Sequence, residues 1–322
     1  MGKRLFLLFF LFGSWNSIPQ NTIPATDKAS SASELEVFVL PKPTFFAKDW
    51  RFNRNRFIWS SVGIGSAWGG SMIGLNQVWY SQINKSAWNT FDDSKNWLQM
   101  DKVGHFYAAY KINALATELY EWSGVKSKNA VWYGVGVSLG FQTTLELLDA
   151  QTEEWGWSWG DVAGNVLGSA GYLTQKLIWN EQRIIPKFSY TPTEFAEIRP
   201  SVLGGTFAES LLKDYNGQTY WLSVSPGAFF KNSKIPKWAC ISIGYSAHEK
   251  LVGSEAFYQD PITGLEYNEQ REFLFSLDID FSRIPVKRPW VRAMLKQLNY
   301  LKIPFPALML RDGKLMARPF YF

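Results

Sequence analysis

The chain has 322 residues, of which 46% are hydrophobic, 17% aromatic and only 19% charged. That balance excludes an intrinsically disordered chain, which needs low hydrophobicity and high net charge. A mean hydropathy of −0.15 is too polar for a bundle of long lipid-exposed spans. The 16 Trp, 24 Phe and 14 Tyr exceed what a small soluble core takes, so the surplus is expected at a boundary: a membrane interface, a partner surface or a ligand groove. A net charge of +5 biases the surface mildly towards anionic partners, and a single Cys excludes a disulfide framework or a cysteine-rich zinc site.

In chain order, Lys3 and Arg4 precede an apolar run at 5–12 and then Gly13-Ser14, the pattern of a secretory signal peptide, assigned to 1–17. No Cys follows the run, which argues against a lipid-anchored start. Residues 18–37, rich in Ser, Thr, Asn and Pro, read as a disordered linker. A helical bundle domain is expected over 38–187 and a β-rich region over 188–322. The fold class is therefore α+β: a glycine-rich helical bundle, then a smaller antiparallel β-rich region with a C-terminal amphipathic helix.

Residues 57–84 carry no charge but hold five Gly and five Ser, too weakly apolar for a clear membrane span. The flank 42–56 has five basic residues and one acid, contrary to the positive-inside rule for an exported chain. Small residues recur every four positions at Ser66, Gly70 and Gly74, at Gly136 and Gly140, and at Gly160, Gly164 and Gly168. Such ridges let helix backbones approach closely, so three helices are expected to form one tight bundle.

Beyond Pro186 the pattern turns to strands. Asn216-Gly217 signals a hairpin between 211–215 and 218–225. Phe273, Phe275, Leu277, Ile279 and Phe281 alternate with Glu272, Ser276, Asp278 and Asp280, Leu274 being the one apolar intruder, giving a strand with one wet and one greasy face and a neighbour at 238–245. Pro289 opens a helix with Trp290, Val291, Met294, Leu295 and Leu298 as its apolar stripe. Residues 281–310 include six basic side chains and no acid. An outer-membrane barrel is disfavoured, because the recognisable strands fall short of eight and Arg318-Pro319 interrupts the terminal alternation of Phe320 and Phe322.

The densest polar cluster lies in the helical half. Asp101 and His105 share a helix face, Glu146 and Asp149 end an apolar helix, and Ser158 caps a helix with Asp161 at its third position and Asn165 on the same face. If the helices pack through their glycines, these groups converge with Lys102 inside the bundle, where buried carboxylates need a partner charge, a proton or a metal. Two readings compete. The leading one is a structural polar network, with Asp101, Lys102, Asp149, Ser158 and Asn165 as binding or capping groups. The alternative is a catalytic or ligand site, with His105 as general base or metal ligand and Glu146 or Asp161 orienting it. With two His in the chain a zinc site is not expected; no metal or other cofactor is assigned, and no nucleic-acid motif is present.

Asp101-Lys102-Val103-Gly104-His105-Phe106, Glu146-Leu147-Leu148-Asp149 and the run from Trp157 to Asn165 resemble the domain-of-unknown-function family 2279, YfiM-like predicted periplasmic or outer-membrane lipoproteins. Lys213-Asp214-Tyr215-Asn216-Gly217-Gln218, Pro236-Lys237-Trp238 and Leu277-Asp278-Ile279-Asp280 resemble its longer Bacteroidetes-type members. The D-K-x-x-H and S-x-x-D-x-x-x-N pieces are also similar, more weakly, to VanZ-like membrane proteins. The resemblance implies an exported protein at the periplasmic face of a membrane, the outer membrane first, without an established activity. The expected partner is a membrane surface, an outer-membrane component or another envelope protein.

Overall fold

In a computed structural model, the structure describes residues 45–49, 51–80, 84–230 and 232–321. The expected signal peptide and linker lie outside the described residues. Four long helices come first: α1 (Arg54–Val78), α2 (Met100–Trp122), α3 (Ser127–Asp149) and α4 (Trp159–Trp179). Strand β1 (Ile184–Tyr190) follows, then the short helices α5 (Phe195–Ile198), α6 (Pro200–Leu203) and α7 (Phe207–Lys213). The chain continues through β2 (Gln218–Val224), α8 (Pro226–Phe229), β3 (Ala239–His248) and the small hairpin β4 (Phe257–Gln259) and β5 (Glu266–Asn268). It closes with β6 (Gln270–Ile279), α9 (Pro289–Leu298), β7 (Phe305–Arg311) and β8 (Lys314–Tyr321). The class is α+β, helical first and β-rich second, as the sequence predicts. Among the described residues, no helix is long and apolar enough to cross a membrane.

Helix α2 is the centre of the helical half, packed on α3 and α4. Glycine makes that packing possible. A Cβ at Gly164 would stand 2.7 Å from the Lys102 carbonyl oxygen, one at Gly168 only 2.1 Å from that of Phe106, and one at Gly134 2.3 Å from the Asn113 and Thr117 side chains. The expected ridge on α4 is therefore a contact face. The one on α1 is not: nothing lies within 4 Å of a Cβ at Gly63, Gly65, Gly69, Gly70 or Gly74. Instead α1 leans on the layer through side chains, Phe57 on Tyr120 (ring centroids 5.2 Å apart) and Trp68 on Phe141 (5.8 Å). Gly136 is also open, whereas Gly140 faces the Trp68 ring.

The sheet has the order β1-β2-β3-β6-β7-β8, antiparallel throughout. The hairpin expected at Asn216-Gly217 is a helix-to-strand turn. Thr206 caps α7 by accepting from the Glu209 N–H, and the Asp214 carboxylate accepts from both the backbone and side-chain nitrogens of Asn216. Strand β2 accordingly pairs with β1 on one side and β3 on the other, not with residues 211–215. Strand β8 runs through Arg318 and Pro319, where its pairing with β7 breaks register between Phe305 and Ala307, an irregularity at a sheet edge that accommodates the missing N–H. Four strand spacings separate β2 from β8, about 19 Å if the sheet were flat. Yet the Trp221 and Tyr321 ring centroids are 6.0 Å apart, so the sheet curls round a core of Trp221, Leu274, Ala307 and Met309.

The two halves meet at the helix–sheet junction. Tyr107 of α2 packs on Phe188 and Tyr220, and Leu98 and Met100 join Ala247 and Tyr245. Just before α2, Trp97, Leu98 and Gln99 all hold positive φ (47°, 52° and 61°), a conformation that disfavours side-chain-bearing residues. The sheet pins this turn, because the Leu98 carbonyl accepts from the Tyr245 hydroxyl (2.5 Å) and the Arg271 guanidinium (3.0 Å).

Candidate functional site

The turn pinned at Leu98 sets the first residues of α2, and the glycine contacts of α4 bring its first turns against them. Asp101, Lys102 and His105 of α2 therefore face Asp161 and Asn165 of α4, while α3 closes the third side with Gln142, Glu146 and Asp149. Every residue singled out in the sequence reaches this one region. Ser158 caps α4, accepting from the Asp161 N–H at 3.1 Å, and donates to Asp93 at 2.8 Å.

Two sub-clusters share Asp161. In the first, the Lys102 ammonium lies 2.7 Å from Asp93, 3.1 Å from Asp101 and 3.3 Å from Asp161. Burial opposes its charge, but those carboxylates more than compensate and hold its pKa above the ordinary lysine value. In the second, His105 Nδ1 lies 3.1 Å from Asn165 Oδ1 and 3.4 Å from Glu146 Oε1, and Nε2 lies 4.0 Å from Asp161. Asn165 is oriented by donating to Glu146 (3.2 Å) and accepting from Gln142 (2.6 Å). Its Oδ1 thus accepts from His105, which puts the hydrogen of the neutral ring on Nδ1 and leaves Nε2 as the basic atom. The Tyr80 hydroxyl donates to Asp149 at 2.7 Å.

Burial governs the protonation of this group. It pushes the Glu146 carboxyl up to about 7 and those of Asp149 and Asp101 up to about 6, and raises Asp161 as well, against the pull of His105 and Lys102. For His105 burial favours the neutral ring, but Asp161, Glu146 and Asp101 outweigh it and lift the pKa above the imidazole value. Five carboxyl groups face two basic ones. Three buried acceptors, Asp101 Oδ1, Gln142 Oε1 and Glu146 Oε2, have no protein donor.

The cluster opens on a cavity of about 340 Å3 at the helix–sheet junction, walled by Asp101, His105 and Gln142 on one side and by Leu211, Tyr215 and Tyr220 opposite. The His105 side chain is 19% exposed there and Glu146 behind it only 1%. This arrangement is able to pass a proton between His105 and a molecule in the cavity. One nitrogen of His105 and one oxygen each of Glu146 and Asp161 also lie within 4.8 Å of one another, a set able to ligate a divalent cation. The other acidic trio, Asp93, Asp101 and Asp161, already holds the Lys102 ammonium.

Sequence reasoning missed Tyr80, Asp93 and Gln142. Gln142 was within reach, four residues before Glu146 on the same helix face. Tyr80 and Asp93 come from outside the regular helices of the cluster, where no periodicity marks them.

No curated protein and no solved structure matches the chain. Residues 87–176, which hold α2, α3, most of α4 and the whole polar cluster except Tyr80, match the family DUF2279, whose members are described as predicted periplasmic lipoproteins.

Proposed function

We propose that this exported envelope protein is associated with a membrane, the outer membrane by preference, and modifies an envelope lipid or glycan by acid–base chemistry at His105, Glu146 and Asp161. The periplasmic description of the matching family supports the location. One observation carries the chemistry: His105 stands 3.4 Å from a buried carboxyl and forms part of the wall of a cavity large enough for a substrate group. In this reading Nε2 accepts a proton from the substrate, Asp161 steadies the imidazolium, and Glu146 supplies or stores a proton near neutral pH. The apolar opposite wall, with Leu211, Tyr215 and Tyr220, suits an acyl chain better than a sugar.

A second reading, a non-catalytic structural or interaction protein, is favoured by a different observation. Farther along the same helices Asn113 donates to Ser169, and Thr117 to Asn113, a fully buried ladder apart from the cavity that His105 lines. If the His105 cluster merely continues that ladder, its role is to fix helix register.

His105→Gln and Asp161→Asn, each expressed in a strain lacking the gene, separate the two. The enzymatic reading expects wild-type abundance with lost function in both variants. Full function in both removes it, and loss of abundance returns the cluster to structure.

A further inference from the structure

Except where α2 covers it at Phe188 and Tyr220, the polarity of the sheet is reversed. Along β6 the inward residues are Glu272, Leu274, Ser276 and Asp278, all buried, while Phe273, Phe275 and Leu277 are 50%, 47% and 56% exposed. The wet face expected from the sequence is the interior one. The register continues the apolar surface across strands: Leu222 pairs with Ile243, Ile243 with Phe275, and Phe275 with Leu308. Beside that row Ile241 pairs with Leu277, and Phe273 with Leu310, which pairs with Leu315. Inside the curl sit the ion pairs Lys187–Asp278 and Arg311–Glu272. A sheet in water places its apolar face on the core and its polar face outward; a sheet facing lipid does the opposite.

Helices repeat the inversion. On α4 Asp161, Asn165, Ser169 and Gln175 are buried, whereas Trp159, Val166, Leu167, Leu177 and Ile178 are exposed. On α9 Ala293 is buried, and Trp290, Met294 and Leu298, spaced by four, are 46%, 62% and 43% exposed.

One end of the sheet also carries a one-sided charge. Ala239 of β3 pairs with Ile279 of β6, and the Asp280 N–H donates to the Trp238 carbonyl, so the segments before β3 and after β6 adjoin. The first brings exposed Lys234 and Lys237 with Trp238, the second Lys287 and Arg288 at the start of α9. No acidic residue occurs in 215–248 or 281–310. The nearest acids, Asp280 and Glu181, are taken up by Arg283 and Arg183, so a second copy of the chain would bring the same Lys234, Lys237, Lys287 and Arg288, whereas an anionic lipid surface supplies their counter-charge, and Trp at such a rim suits the headgroup level.

We propose that the outer face of the sheet, centred on Ile243, Phe275 and Leu308, together with the exposed stripe of α9, is a lipid-contacting surface that seats the protein in a membrane bearing anionic headgroups. The proposal rests on the membrane association put forward above and names its surface and lipid chemistry; it is independent of the His105 chemistry.

Flotation of the purified full chain with phosphatidylcholine vesicles, with and without phosphatidylglycerol, tests it. Wild type should float with both and better with phosphatidylglycerol. Phe275→Glu/Leu308→Glu should lower vesicle binding by about tenfold or more, since an ionised side chain resists entering the lipid face. Lys287→Glu/Arg288→Glu should abolish only the preference for phosphatidylglycerol, and His105→Gln should float like wild type even if it is inactive. Equal flotation of wild type and the double glutamate variant overturns the proposal, as does a wild-type dimer that ignores vesicles and is split by those glutamates. If the glutamates prevent folding, Phe275→Cys carrying an environment-sensitive fluorophore decides: a blue shift on adding vesicles supports the surface, and an unchanged spectrum overturns it.

Discussion

Both halves of the molecule bury charge on their inward faces, but they balance it differently. In the sheet, Lys187 and Asp278 are both fully buried and lie 2.8 Å apart, with the Ser223 hydroxyl donating to the same carboxylate at 2.5 Å. The direct contact is one cation on one anion, sealed from solvent, with the Lys302 ammonium the further charge that feels both. Among the helices, five carboxyl groups share Lys102 and His105 beside an open cavity. A matched, sealed pair holds a fold together and has no spare proton to exchange. A mismatched, accessible group must take up protons or a cation, and that makes it available for chemistry.

The largest expected effect lies at the contact that assembles the mismatched cluster. Gly168→Leu sets a side chain against the Phe106 carbonyl, where even a Cβ would sit 2.1 Å away. The backbone of α2 has no room to yield, so the cost should exceed the roughly 1–3 kcal/mol usual for overpacking. Thermal melts should show the helical half lost or severely weakened; an unchanged midpoint would mean that α4 does not approach α2 there.

Next comes the matched pair. Lys187→Met alone strands the Asp278 carboxylate in the sheet interior and should cost about 3–5 kcal/mol, whereas Lys187→Met/Asp278→Leu should recover most of that loss. Denaturant titrations of the two variants check this. Equal losses in both would show that the pair contributes more than mutual neutralisation.

The cluster should also give the protein an unusual pH dependence. Glu146 (about 7 folded against an ordinary 4.5), Asp149 and Asp101 (about 6 against 3.8) and His105 all have raised folded-state pKa values. For such groups the stabilisation is complete below the unfolded pKa and is lost as pH rises through the folded one. Melting temperature should therefore fall between about pH 5 and pH 8. Glu146→Gln, an isostere that stays neutral, should flatten that slope, and a slope as steep as wild type would remove Glu146 from the titration.

The smallest effect belongs to the open ridge of α1. Gly70→Ala meets nothing within 4 Å, so it should gain up to about 1 kcal/mol of helix propensity. A destabilised melt would reveal a contact with α1 that the isolated chain does not display.

Much of this arrangement was legible in the sequence, and the gaps have physical reasons. Asp101, His105, Glu146, Asp149, Asp161 and Asn165 could be grouped because helical spacing puts each set on one face. The alternation in β6 and the Pro289 start of α9 marked those elements. Alternation separates two faces, however, without saying which one looks inward, so the buried Glu272 and Asp278 read as the wet side. Small residues at four-residue spacing permit a close approach without requiring a partner, which is why Gly164 and Gly168 pack while Gly70 and Gly74 stand open. Asn216-Gly217 marked a turn, but residues 207–213 before it form a helix with a Thr206 cap rather than a strand.

The central claim, that the charge-mismatched cluster exchanges protons near neutral pH, is tested most directly by titrating His105 through the NMR signals of its ring. The chain has only His105 and His248, and His105→Gln assigns both signals at once. His105 should titrate above the ordinary 6.5 and drop in Asp161→Asn as a carboxylate neighbour is removed, while His248, half-buried and beside Arg311, stays near 4. A His105 that remains neutral from pH 5 upward, or titrates identically in Asp161→Asn, would contradict the account and leave the cluster as a structural network.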